Sequence, residues 1–301
     1  MLWSKAIGAG GSGGGGGTLF GPRGVFGGGS TGARVNTIDY ITIAITGNAV
    51  DFGDLTVVRD RLAATSDGAR GVFGGGSDSS PVNTIDYVTI SSTGNASDFG
   101  DLTVNRQVLA ATSDGSRGVF GGGITSSAVN NIDYITIATT GDAVDFGDLT
   151  VARQGLSATS DGSRGVFAGG YGSSDLNTID YITIASLGNA VDFGDLTAAR
   201  FGVSATSNGS RGVFGGGYAG STTNTIDYIT IASLGNAVDF GDLTAARGRP
   251  SATSNGSRGV FGGGEPITNT IDYITIATSS NAIDFGDLSV ARTGLAATSG
   301  G

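Results

Sequence analysis

A repeat of 47 residues constrains the fold of this chain more than any other feature. The string Arg-Gly-Val-Phe recurs with its Val at positions 25, 72, 119, 166, 213 and 260. An Asp-Tyr pair recurs in step, with its Tyr at positions 40, 87, 134, 181, 228 and 273. Self-similarity at a period of this length is typical of solenoids, propellers and arrays. Six copies fill residues 20–301, so one array accounts for nearly the whole chain.

Each copy carries signals for four short strands. In the copy that starts at residue 156, residues 156–160 form a strand pattern of small side chains, and Asp161-Gly162 predicts a type I′ hairpin turn into residues 165–167. Residues 178–184 are β-branched and aromatic, and a Gly-Asn turn separates them from a short strand at 192–196. The pattern predicts four antiparallel strands in every copy.

Four short strands at this period match one blade of a β-propeller, with the strand rich in Ala and Ser innermost. A solenoid is the rival architecture. Closure favours the ring, because the chain ends on the first strand of a copy, at 295–299, and begins on the second, at 23–29. The two ends complete one shared blade and remove two free sheet edges. We therefore predict an all-β, six-bladed propeller of four-stranded antiparallel blades over residues 20–301.

Composition narrows the function classes. The net charge of −10 disfavours nucleic acid and anionic membranes as partners. The chain contains no Cys and no His, which removes thiolate nucleophiles, the commonest general base and the commonest metal ligands. No stretch of about 18 apolar residues is present for membrane insertion, and the first residues lack the apolar core of a secretory signal.

The order of motifs within a copy resembles the kelch repeat. A strand that ends in paired glycines, as in residues 25–29, precedes an Ile-Asp-Tyr strand, a short aromatic segment and an Arg. Phe52 and its equivalents stand near the position where kelch blades often carry Trp. Arrays of such uniform copies, with Asp-Tyr-Ile-Thr-Ile and Asp-Phe-Gly-Asp-Leu segments, also resemble propellers of phage virions. That resemblance implies a tail or capsid appendage.

Every copy has the same charged set of two Arg and three Asp. In the first copy these are Arg23, Arg59, Asp39, Asp51 and Asp54. Sixfold repetition does not suit a single catalytic site, but it is what an ion-pair network between blades would produce. The alternative is one Ca²⁺ per blade, held by the Asp51 and Asp54 positions. No other cofactor is expected.

The first 19 residues are predicted to be a separate segment. Residues 11–17 are Gly-rich without the Gly-Lys-Ser/Thr ending of a phosphate-binding loop, so a flexible tether is the better interpretation. Leu2, Trp3 and Ile7 form a short apolar tag beyond this tether. We expect the tag to anchor the protein to other virion subunits, with packing beneath the propeller as the alternative.

Two segments of the repeat vary while the rest is held nearly constant. One is the loop after the glycines, between the second and third strands, and the other follows the outer Arg. In an up-and-down blade both emerge on the same side of the ring, which we call the variable face. Loops on a rigid scaffold commonly carry binding residues. The candidate contacts there are Arg34, Arg61, Tyr171, Phe201, Tyr218 and Arg249. The alternative is that the sequences of these loops vary because nothing constrains them.

These features predict a non-enzymatic structural and binding component of a phage particle, whose variable face meets a host glycan, a protein receptor or a neighbouring subunit. Its expected location is the virion, or otherwise the extracellular space or a cell surface. One alternative is a bacterial surface or secreted adhesion module. Another is a carbohydrate-active enzyme of the kelch type. Copper radical chemistry would need His and Cys ligands, and a hydrolase would need two carboxylates, whereas Glu265 has no evident partner in the sequence.

Overall fold

The computed structural model describes residues 21–300 and confirms the six-bladed β-propeller. Six four-stranded antiparallel sheets surround a central channel, and no helix that could cross a membrane occurs among the described residues. The predicted tether, with Leu2, Trp3 and Ile7, lies outside them.

The first three blades and the start of the chain contain β1 (Arg23–Gly27), β2 (Thr37–Thr42), β3 (Val50–Asp54), β4 (Ala63–Ser66), β5 (Arg70–Gly74), β6 (Thr84–Thr89), β7 (Ser97–Asp101), β8 (Ala110–Ser113), β9 (Arg117–Gly121), β10 (Asn131–Thr136) and β11 (Val144–Asp148). The remaining strands are β12 (Ser157–Ser160), β13 (Arg164–Ala168), β14 (Thr178–Thr183), β15 (Val191–Asp195), β16 (Ser204–Ser207), β17 (Arg211–Gly215), β18 (Tyr218–Ala219), β19 (Ser221–Thr222), β20 (Thr225–Thr230), β21 (Val238–Asp242), β22 (Ser251–Ser254), β23 (Arg258–Gly262), β24 (Thr270–Thr275), β25 (Ile283–Asp287) and β26 (Ala296–Gly300).

The last strand of the chain closes the ring. The first blade has the order β26-β1-β2-β3, with Val25 opposite Thr298 in the antiparallel register of β1 and β26. The innermost strands also contact one another in sequence around the channel, and β26 touches both β22 and β4. The shared blade that the sequence predicted is therefore present. The small pair β18 and β19 lies in the variable loop of the fifth blade.

The hairpin between the first two strands of a blade differs from the predicted type I′ turn. The amide of Asp161 donates to the carbonyl of Arg164 at 3.3 Å, so Gly162 and Ser163 are the central residues. Only Gly162 has a positive φ, of 86°, whereas a type I′ turn needs a positive φ at both central positions. The Asp161 carboxylate accepts the amides of Ser163 and Arg164, and this side-chain turn replaces the predicted backbone geometry.

The hydrophobic core lies between blades rather than within them. At the boundary of the first and second blades, Val25 and Ile38 pack with Phe73, Val88 and Ile90. An equivalent cluster occupies each of the other five boundaries. Full burial of one such Phe contributes about 1.5–3 kcal/mol, so each boundary is a small core in its own right.

The outer edge of each blade is covered by a turn from the next blade. The amides of Gly94 and Ala96 donate to the carbonyls of Phe52 and Asp54, at 2.8 and 2.7 Å. Gly53 lies beneath this turn with a φ of 148°, and a Cβ there would come within 2.4 Å of the Gly94 carbonyl oxygen. The Gly-Asn-Ala turn thus occupies hydrogen-bonding groups that an edge strand would otherwise leave free. This explains why the turn is nearly constant.

A buried ion pair crosses every blade boundary. Arg106 follows the outer strand of the second blade, and its Nη2 donates to Oδ2 of Asp133 in the third blade at 2.8 Å. Its other hydrogen bonds go to the carbonyls of Asn131, Phe120 and Gly122, while Thr103 donates to Asp133 at 2.7 Å. The six pairs, with N···O distances of 2.7–3.0 Å, are Arg59–Asp86, Arg106–Asp133, Arg153–Asp180, Arg200–Asp227, Arg247–Asp272 and Arg292–Asp39.

Burial lowers the pKa of all six arginines, and the charge of the partner aspartate acts in the opposite direction. The second arginine of each copy behaves differently. Arg23 stacks over the ring of Tyr40, 4.4 Å from its centroid, and donates to the carbonyl of Ile90 in the next blade at 2.8 Å. The structure therefore confirms the network between blades for one Arg and one Asp per copy, and assigns the other Arg to cation–π stacking.

Replacing Asp133 with Asn should destabilise the protein by about 3–5 kcal/mol, because Arg106 would remain buried without its counter-charge. Asp145→Asn is the matched control, since Asp145 is exposed on the outer strand of the same blade. We expect that control to change the free energy of unfolding by less than about 0.5 kcal/mol. Denaturant titration measures both values, and equal effects would show that the buried pair has no special role.

Candidate functional site

The variable face is built by pairing across blade boundaries. Asp60 follows the outer strand of the first blade, and its amide donates to the carbonyl of Ser77 in the loop of the second blade at 3.1 Å. The reverse bond, from the amide of Ser77 to the carbonyl of Asp60, measures 2.9 Å. Equivalent bridges join the two varied segments at the other boundaries. The two segments therefore lie side by side on the face that the sequence predicted for both of them.

Three aromatic side chains form one cluster on the fourth and fifth blades. Phe201 and Tyr218 face each other across one of these bridges, and their rings stack at 4.8 Å with an angle of 17°. Tyr171 meets the edge of Phe201 at 5.8 Å and is 38% exposed. No equivalent cluster exists on the other described blades, where the same positions carry Ser, Asp, Gln, Ile, Thr, Gly and Glu.

Arg249 and Glu265 extend this cluster onto the sixth blade. Arg249 Nη1 lies 3.2 Å from Glu265 Oε2, and its guanidinium is 5.7 Å from the centroid of the Tyr218 ring. Gly248 makes room for that ring, because a Cβ at position 248 would overlap Cε2 of Tyr218. The other copies place Asp, Gln, Phe or Thr at this position, so the position of the Tyr218 ring depends on the glycine.

Burial raises the pKa of Tyr218 to about 12, and the hydrogen bond and negative charge of Glu265 act in the same direction. The positive charge of Arg249 opposes them. The phenol therefore keeps its proton across the physiological range. Its O–H donates to Glu265, so the phenolic oxygen is left to accept a hydrogen bond beside the Arg249 guanidinium.

A second charged group lies on the first and second blades. Arg34 Nε is 3.1 Å from Asp60 Oδ1, and Arg61 Nε is 3.7 Å from Asp60 Oδ2. Asp60 is nearly buried, whereas Arg34 and Arg61 are partly exposed. One carboxylate thus holds two guanidinium groups at the surface.

The mouth of the channel is rimmed by a chain of backbone hydrogen bonds. The amide of Val108 donates to the carbonyl of Arg61, and that of Gly155 donates to the carbonyl of Val108. In the same way, the amides of Gly202, Arg249 and Arg61 donate to the carbonyls of Gly155, Gly202 and Gly294, respectively. This rim consists of Arg61, Val108, Gly155, Gly202, Arg249 and Gly294, which hold equivalent positions in the six copies.

All six rim residues have left-handed backbone conformations. The glycines have φ values of 64°, 65° and 64°, while Arg61, Val108 and Arg249 have 58°, 57° and 49°. These three are the non-glycine residues with positive φ in the described part of the chain. The conformation costs a residue with a Cβ roughly 1 kcal/mol relative to glycine. Half of the rim therefore carries strain that the other half avoids.

The channel below the rim is narrow and uniform. Its wall near the variable face consists of six Leu, Val or Pro residues followed by rings of Ala and Ser. Toward the opposite face Ser66 donates to the carbonyl of Ser299 at 2.7 Å, and Ser113 donates to that of Ser66 at 2.7 Å. Cavities of about 120 Å³ lie inside the channel, whereas two cavities of about 230 and 210 Å³ lie beside the rim.

The repeated acidic residues do not assemble into a metal centre within residues 21–300. No group of three or more His, Cys, Asp or Glu there is close enough to hold a metal ion. Asp51 and Asp54 lie on the outer strand. The backbone amide of Asp54 donates to Oδ1 of Asn95 at 3.1 Å. The Ca²⁺ alternative therefore gains no support from their arrangement.

The six candidate contacts divide into two neighbouring groups. Tyr171, Phe201, Tyr218 and Arg249 are contiguous, and Arg34 and Arg61 share one carboxylate. One cavity, lined by Arg61 and Arg249 among others, joins the groups.

Sequence reasoning missed Asp60, Gly248 and Glu265 as members of this site. It left Glu265 without a partner, because a contact between loops of adjacent blades has no signature in sequence spacing. The sequence did contain one indication of their role, because all three residues lie in the segments that differ between copies.

Glu265→Gln should lower the pKa of Tyr218 from about 12, because the negative charge that disfavours the phenolate is removed. The pKa should remain above the ordinary tyrosine value, since burial is the larger cause. Arg249→Gly should shift it in the opposite direction. NMR titration of labelled tyrosine ring carbons measures both shifts, and shifts of the same sign would contradict this geometry.

Compared with known proteins, the chain matches no protein-family model and no curated protein sequence. The fold thus rests on the repeat and the structure, and the kelch and virion resemblances remain predictions.

Proposed function

We propose that this chain is a non-enzymatic structural and binding component of a phage particle, a tail or capsid appendage. Its variable face would meet a host-surface glycan or protein, or a neighbouring virion subunit. One observation carries the proposal. Positions that make blade boundaries repeat six times, whereas the longest stretches that differ between copies lie in paired segments on one face, where an aromatic and charged cluster forms. Such a division is typical of a rigid scaffold that carries a binding surface.

The phage assignment is supported by the resemblance of the Asp-Tyr-Ile-Thr-Ile and Asp-Phe-Gly-Asp-Leu segments to virion propellers. In this proposal the kelch-like propeller is held through residues 1–19, with Leu2, Trp3 and Ile7 as the anchor in another subunit. The expected location is the virion.

The non-enzymatic part of the proposal is supported by how the charged residues are used. His and Cys are absent from the sequence. One Arg and one Asp of each copy form the buried ion pairs between blades. On the variable face Asp60 and Glu265 each hold an arginine. These contacts serve positioning and recognition, and the proposal involves neither a metal nor nucleic acid.

Mass spectrometry and electron microscopy of purified source particles test this proposal. We expect the chain in fixed stoichiometry, with ring-shaped density at the particle surface and residues 1–19 buried in a neighbouring subunit. A variant without residues 1–19 should fold but be missing from particles. A chain found only in the cell or the medium would contradict the proposal and favour the adhesion-module alternative.

A further inference from the structure

The rim of the channel contains side chains that the fold does not require. Three copies place Gly at the left-handed rim position, and the backbone hydrogen bonds of the rim include glycines and non-glycines alike. Arg61 and Arg249 nevertheless occupy two of these positions, with a backbone conformation that glycine adopts more readily. Strain of this kind is commonly retained where a side chain serves a function.

Glycines next to the two arginines give their side chains space over the mouth of the channel. A Cβ at Gly294 would lie 3.4 Å from Cγ of Arg61, and a Cβ at Gly202 would lie 3.1 Å from Cγ of Arg249. Each arginine thus extends across its glycine neighbour in the rim. Their side chains remain 38% and 28% exposed, so N–H groups are available to a ligand.

We infer that this mouth binds an acidic saccharide of at least two sugar rings, with a carboxylate held between Arg61 and Arg249 and a ring packed against Tyr171 and Phe201. The inference rests on the proposed binding function of the variable face and names its ligand class.

Two cavities give such a ligand separate places for its two parts. The cavity of about 210 Å³ is lined by Arg61, Arg249, Asp60 and Glu265, among others, and the cavity of about 230 Å³ by Tyr171, Phe201, Val108 and Arg249, among others. Arg249 lines both, so a ligand that spans them must pass this guanidinium. A ligand of one ring would fill only one cavity, which is why the proposal requires at least two.

The charges around the first cavity favour a carboxylate. The charged residues that line this cavity are Arg61, Arg249, Asp60 and Glu265. Arg34 is paired with Asp60 but does not line the cavity, and it gives this group of five residues an excess of one positive charge in a chain whose net charge is −10. Guanidinium groups bind carboxylates through paired, charge-assisted hydrogen bonds. Asp60 and Glu265 line the same cavity, so a ligand carboxylate would be held by guanidinium N–H groups that these two residues do not occupy.

The second cavity favours a sugar over a peptide or a nucleic acid. Tyr171 and Phe201 offer an apolar wall beside the amide of Gln154, and a pocket with aromatic walls and few polar groups suits the mixed apolar and polar faces of a sugar ring. A nucleic acid would present a negative charge at every nucleotide to a chain of net charge −10, whereas the proposed ligand needs one carboxylate at the mouth.

The test measures binding of digalacturonate and of sialyllactose by isothermal titration calorimetry, each beside the same oligosaccharide with its carboxylates reduced to alcohols. We expect the full-length protein to bind at least one acidic form, and to bind its reduced form at least about tenfold more weakly. Arg61→Gly and Arg249→Gly should each weaken binding of the acidic form by about tenfold or more.

Val108→Gly is the matched control, because it changes the third strained rim position without removing a charge. Val108 also lines the second cavity, so this variant should leave unchanged the preference for the acidic over the reduced form. All three variants should keep or raise the Tm of the protein, since glycine is the residue that three other copies place there. Phe201→Gln, which copies the residue at 107 and 154, should weaken binding of the acidic and the reduced forms alike.

Three results would overturn the inference: no binding of either acidic oligosaccharide at millimolar concentration, equal binding by the Arg61→Gly/Arg249→Gly double variant, or unfolding of the glycine variants. Preferential binding of a peptide through its terminal carboxylate would also overturn it. None of these results depends on whether the chain is found in particles, so failure here leaves the virion proposal separately testable.

Discussion

The buried Arg–Asp pair at each blade boundary is the interaction on which the rest of this structure depends. The arginine leaves the outer strand of one blade, reaches the third strand of the next blade and binds backbone carbonyls there, so one side chain fixes the distance and the angle between two sheets. The same contact closes the ring between Arg292 and Asp39, so all six boundaries share this ion pair. A buried charge that loses its partner is costly, so neither residue varies independently.

This constraint separates the molecule into parts with different freedom to change. The covering turn, the core clusters and the ion pairs all lie at boundaries, where a change in one copy would disturb the fit with its neighbour. The varied segments also meet across boundaries, but through backbone groups, as between Asp60 and Ser77. Side chains there are free to differ, and in three successive copies they bring Tyr171, Phe201, Tyr218 and Arg249 together.

The repeat predicted most of the fold, because blade number, strand order and ring closure follow from its period and from where the chain ends within it. It predicted a charge network without identifying Asp39 as the partner, since three aspartates per copy satisfy the same pattern. The turn at Asp161 was predicted wrongly because the side chain of Asp161, not a second positive φ, closes it. In the site, aligned copies located the variable face, but the contact of Glu265 with Arg249 and the strain at Arg61 depend on three-dimensional placement.

The central claim is that the boundaries determine the fold and that the side chains of the variable face contribute nothing to it. Thermal unfolding of a symmetrised chain tests this most directly: every connection would carry the Gln-Gly pair of residues 154–155, and every loop the sequence of residues 124–128. The account predicts a cooperative transition with a Tm equal to or above that of the natural chain, because left-handed positions would all be glycine. Loss of folding, or a broad transition at a much lower temperature, would contradict it.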